Sequence, residues 1–114
     1  MATTSPTEYD PEALFQGTLT TTLDATLVTA AAEAGIRILS IVLVNTTSTV
    51  RAVTIDHYDG GTGYKICSTM DIPTGGSPII IEADIILDAS DLLRGGASAN
   101  AAIDCNVYGI RLAD

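Results

Sequence analysis

The chain has 114 residues, enough for one domain with a modest core. With 46% hydrophobic and 17% charged residues it is not a disordered chain, and its aliphatic content exceeds what a monomer of this size covers well. Fourteen acidic against five basic side chains give a net charge of −9, which argues against nucleic-acid binding and against anionic membrane surfaces.

Residues Met1–Glu12 are Thr, Ser, Pro and acid without periodicity, and they read as an N-terminal arm. They lack a basic start and an apolar run, so the expectation is a chain made and used without secretion. Tyr9, Leu14 and Phe15 are the large apolar groups of this region and the candidate anchors for a partner. The arm either lies on a neighbouring subunit or folds back on its own domain. The expected division is an arm over 1–16 and a β-sandwich over 17–114.

Gly17–Thr22 is Thr-rich, and Thr26–Ala30 (TLVTA) predicts a short strand. Ala30–Ala34 is too short for a helix and is stopped by Gly35, so it reads as a turn. Ile36–Asn45 (IRILSIVLVN) is broken only by Arg37 and Ser40. It is too short to span a bilayer, which needs about 20 residues. Its β-branched content predicts a central strand covered on both faces. Asn45–Ser48 is a polar turn and Val50–Tyr58 a strand, which together predict an antiparallel hairpin with the central strand.

Asp59–Gly63 (DGGTG) reads as a hairpin turn, since a phosphate loop requires a Lys-Ser/Thr ending and a following helix. Tyr64–Met70 is the returning strand. Pro73–Pro78 is a further turn, followed by strand segments Ile79–Glu82 and Ile85–Leu87. Asp88–Asp91 is a turn with a faint capping-box pattern and no helical run after it. Leu92–Ala97 predicts an irregular strand whose Gly95-Gly96 marks a bulge or a close backbone approach. Ala101–Leu112 alternates most cleanly of all. The expected fold is all-β, an antiparallel β-sandwich or jelly-roll of about eight short strands with an extended N-terminal arm.

Chemistry-bearing residues are few. His57, the single histidine, has Asp56 and Asp59 near it but no nucleophile motif, so an ordinary strand-end hydrogen bond is expected. Glu82, Asp84, Asp88 and Asp91 lack calcium-loop spacing and read as solvated acids. Cys67 and Cys105 lack zinc spacing and are expected to be reduced and buried, the alternative being a disulfide between adjacent strands. Asn45-Thr46-Thr47 fits the glycosylation pattern, which is idle without secretion. No catalytic residue, cofactor or metal is expected.

Several segments, Leu14–Leu19, Ala25–Ala30, Ile38–Thr47 and Ile86–Arg94 leading to Ala97–Ala99, occur in an order that resembles small tailed-bacteriophage virion proteins. The resemblance runs from about Leu14 to Leu112. Where such proteins often carry Pro after the first short strand, this chain has Ala31–Gly35; where they often have a longer apolar strand after the Arg, it has Gly95-Gly96. The resemblance implies a non-enzymatic β-sandwich subunit of heads, necks or tails, a homo-oligomer with the trimer commonest for head decoration. Its partners would be the major capsid protein or other virion subunits. It would be located in the virion, assembled in the cytoplasm of the bacterial host. A receptor- or glycan-binding module of a tail or fibre is the alternative.

Overall fold

The computed structural model describes residues 11–30 and 35–112. Tyr9 and the turn expected at 31–34 lie outside the described residues. Among the described residues eight strands follow one another: β1 (Glu12–Thr18), β2 (Thr26–Thr29), β3 (Ile36–Asn45), β4 (Arg51–Tyr58), β5 (Gly63–Ile72), β6 (Ile79–Leu87), β7 (Leu92–Ala97) and β8 (Ile103–Arg111). One sheet has the order β1-β8-β3-β6 and the other β2-β7-β4-β5, with every pairing antiparallel. First pairs with last, second with seventh, third with sixth, fourth with fifth. A chain doubled back at its middle and rolled across two sheets has this order, which is that of a jelly-roll.

The two inner faces supply the core. Ile38, Ile41 and Leu43 from β3 and Val107 from β8 lie across from Val53 and Ile55 of β4, all fully buried. Alternation along each strand puts these residues inward.

The central strand departs from expectation in an informative way. Its buried residues are Ile36 and Ile38, then Ile41, Leu43 and Asn45, so the inward positions change parity partway along. The register against β8 shifts between Ile38 and Ser40, and Leu39 is the extra residue. A bulge of this kind moves apolar residues into both parities, which makes a one-sided strand look two-sided. β3 is therefore not buried on both faces: Val42 and Val44 on its outer side are half-buried. Register breaks lie alongside in β1, between Ala13 and Phe15, and in β6, where Ala83 and Asp84 stand opposite Leu39. These breaks lie close to Gly109, where a Cβ would collide with the Arg37 carbonyl and the Leu14 side chain.

The expected β3–β4 hairpin does not form. β3 and β4 belong to different sheets, and the polar turn between them is a corner. Asn45 explains it. Its buried side chain donates to the carbonyls of Thr49 (2.8 Å) and Ile72 (3.0 Å) and accepts from the Thr47 amide and hydroxyl. One amide thus holds the corner and ties it to β5. The same occupancy leaves no free nitrogen for glycosylation at this position.

Two more boundaries differ. Glu12–Gln16, expected as arm, is the first part of β1, an edge strand aligned by β8 with Phe15 beside Val107 and Gly17 beside Cys105. β6 runs unbroken through Glu82–Asp84, because both acids point away from the core. The β4–β5 hairpin forms as expected, closed by Asp59, whose carboxylate accepts from the amides of Gly61 and Thr62. At Gly95-Gly96 the β4–β7 register is continuous, so the pair marks close approach: a Cβ on Gly96 would collide with the Thr22 carbonyl.

Replacing Asn45 with Ala should leave the Thr49 and Ile72 carbonyls without their donor. The expected loss is about 2–4 kcal/mol of unfolding free energy, read by urea denaturation with an unchanged m-value.

Candidate functional site

Of the sequence-derived anchors, Leu14 and Phe15 lie in β1, partly buried against this chain's own core. Leu14 fills the space over Gly109, and the Phe15 ring lies 3.2 Å from where a Cβ on Gly17 would be.

His57 makes a strand-end hydrogen bond. Its Nε2 lies 2.8 Å from Asp91 Oδ2, and the same oxygen accepts from the Asp88 amide at 3.1 Å. Asp91 thus closes the β6–β7 corner and fastens it to β4. The other acids are apart from it: Asp84 grips Arg37 through two bonds of 2.6 and 2.8 Å on the outer surface. Among the described residues no His, Cys, Asp and Glu cluster suits a metal ion, and no pocket is formed.

Sequence reasoning missed a buried ion pair. Arg94 on β7 binds Asp56 on β4 through bonds of 2.9 and 2.8 Å, with only 17% and 5% of the two side chains exposed. The guanidinium lies 4.0 Å over the Tyr58 ring, and Lys65 approaches the same carboxylate at 3.6 Å. Gly63 leaves the room: a Cβ there would come within 2.6 Å of Arg94 Nη2. The hydrogen-bonded Arg94 holds the Asp56 carboxyl below its ordinary range, against the opposing effect of burial. Both charges are spent on each other, so the cluster is a tie between β4, β5 and β7. No sequence signal marks it, since Asp56 and Arg94 are 38 positions apart.

The cysteines are free and lie in different sheets, Cys67 on β5 and Cys105 on β8. Burial pushes the Cys105 thiol up to about 12. Cys67, expected to be buried, is only half-buried because β5 is an edge strand; its thiol is raised by burial as well.

The surface that stands out is the β6 edge. β6 carries five isoleucines, and only Leu87 of its nine residues is buried. Ile79, Ile81 and Ile85 face inward yet are half-covered, while Ile80 and Ile86 face out at 54% and 46% exposure. Val42 continues the apolar surface beside Ile80. The other edges are blunted: β2 has four residues, β5 has two register breaks and a left-handed Thr69, and β1 exposes only polar or small side chains.

Comparison of the chain with protein-family models, curated proteins and solved structures gives no match.

Two predictions follow from the buried groups. Arg94→Met should cost about 3 kcal/mol, because it strands the Asp56 carboxylate. Since the folded pKa of Asp56 is depressed, its contribution is present above the unfolded value of about 3.9 and lost as pH falls through the folded one. The stability gap between wild type and variant should therefore close in acid, as read by denaturation from neutral pH down to about pH 2. Thiol titration should label Cys67 slowly in the native protein and Cys105 only after unfolding, with Cys67→Ser abolishing the native reaction.

Proposed function

We propose that this protein is a non-enzymatic structural subunit of a bacteriophage virion, a decoration or cement protein that assembles on the head and stabilises it. The observation that carries the reading is the β6 edge, a strand with five isoleucines that the described chain leaves incompletely covered. An edge of this kind is a template for another chain, and a monomer would ordinarily protect it. The jelly-roll order adds weight, because viral capsid domains use it, although lectins and cupins do too. Among these, the resemblance of Leu14–Leu112 to tailed-phage virion proteins supports the capsid role. The net charge of −9 suits a subunit whose copies repel except at their docking edges.

In this reading residues 1–10, with Tyr9 as their large apolar anchor, contact a neighbouring subunit or the shell. Ordering ten residues costs on the order of 10–20 kcal/mol of backbone entropy, so the contact must bury an anchor and form backbone hydrogen bonds.

The test is co-sedimentation with heads of the encoding phage assembled without this protein. Saturable binding and a raised melting temperature of the heads are expected. Deleting residues 1–10 removes no described strand, so it should weaken binding tenfold or more while the far-ultraviolet spectrum and melting temperature of the isolated protein stay unchanged. Absence of head binding together with saturable binding to host cells or their surface glycans would replace this reading with the tail-receptor one.

A further inference from the structure

β6 reads Ile-Ile-Ile-Glu-Ala-Asp-Ile-Ile-Leu, which is chemically the same from either end when centred on Ala83. Ile79 mirrors Leu87, Ile80 mirrors Ile86, Ile81 mirrors Ile85 and Glu82 mirrors Asp84. Two strands that continue one sheet across a two-fold axis perpendicular to them run antiparallel, and a two-fold interface joins a patch to itself. A strand whose residues match about its own centre on both faces fits such an interface.

We propose that β6 is a self-association edge: two copies pair their β6 strands antiparallel about a two-fold axis at Ala83. The four-stranded sheet β1-β8-β3-β6 then continues into its equivalent in the second copy. On the outer face, Ile80 of each copy packs against Ile86 of the other, beside Val42. On the inner face, Ile81 meets Ile85, which adds cover to the half-covered side of the core; Leu87, opposite Ile79, is already buried within its own chain. The seam is about 30 Å long at the strand rise of about 3.4 Å per residue.

No other edge has this symmetry. A two-fold centred on β1 at Phe15 sets Leu14 against Gln16 and Glu12 against Thr18. β2 is too short and β5 is interrupted twice, whereas β6 has a single register break, against β3 at Ala83 and Asp84, and keeps its in–out alternation through it. The Thr-, Pro- and acid-rich sequence of residues 1–10 does not match an isoleucine strand.

The pairing has one mismatch, and it supplies the test. Glu82 faces Asp84 of the second copy twice across the axis, and like charges directly opposite are unfavourable. The bidentate hold of Arg37 on Asp84 offsets part of this. Glu82→Lys replaces both like pairs by opposite ones, so it should tighten the dimer about tenfold. Ile80→Thr with Ile86→Thr removes the outer-face contacts from two exposed positions and keeps β-branching. It should weaken the dimer on the order of 100-fold with the circular dichroism unchanged.

This inference deepens the assembly reading and rests on it for purpose only. Sedimentation of the full chain at micromolar concentration should give a dimer, and deleting residues 1–10 should leave that dimer intact. A monomer throughout, a dimer that the isoleucine changes do not weaken, or a Glu82→Lys protein that fails to tighten overturns the pairing. Loss of the dimer on deleting residues 1–10 overturns it too and assigns the edge to the arm. A dimer that obeys these changes but never binds heads leaves the pairing standing and removes the virion reading alone.

Discussion

A chain that changes sheet must leave its hydrogen-bond ladder, and the peptide groups at each crossing still need partners. Here every consecutive pair of strands except β4–β5 lies in different sheets, so corners dominate the fold. The buried polar side chains answer this need. Asn45 satisfies the β3–β4 corner and Asp91 the β6–β7 corner. Thr54 receives the Thr69 amide where β5 breaks register. No buried side-chain polar atom among the described residues lacks a partner. The core is aliphatic and its packing nondirectional; these few polar contacts specify which way the chain turns.

The corners also decide where the surface is left open. Rolling the doubled chain across two sheets places β1 and β6 at the edges of one and β2 and β5 at the edges of the other. Short length, polarity or broken register protects three of them. β6 keeps its isoleucines on both faces and meets the core from one side only, which is why Ile79, Ile81 and Ile85 face inward without being buried. Its protection is limited to the acids at its centre and one register break against Leu39, and Arg37 already occupies Asp84.

Much of the fold was legible in the residues. The bounds of Ile36–Asn45, the β4–β5 hairpin and the alternation of β8 follow from β-branched runs, turn chemistry and period, while Gly95-Gly96 left a bulge and a close approach both open. What was not legible has a common physical cause. A strand, a polar turn and a strand spell a hairpin and a corner equally well, and only the partner of the Asn45 amide, Ile72, distinguishes them. The Leu39 bulge shifts the alternation of β3, so a strand with one half-open face reads as fully covered. β1 owes its alignment to β8, about 90 positions away, and has little pattern of its own. The candidate site suffered most. The isoleucines of β6 look the same in sequence whether the strand is interior or at an edge, and edge position is a property of the sheet order alone.

The nested pairing has a consequence in time. Only β4 and β5 find each other locally; β3 must wait for β6, β2 for β7, and β1 for β8. Loop-closure entropy makes such long-range pairings slow to form. During synthesis β6 leaves the ribosome before β8, the strand that seats β3 on its other side, so its isoleucines are presented while the sheet behind them is incomplete. A strand suited to pairing with its own copy is then exposed when many nascent copies are near one another. Assembly and misassembly would begin at the same nine residues.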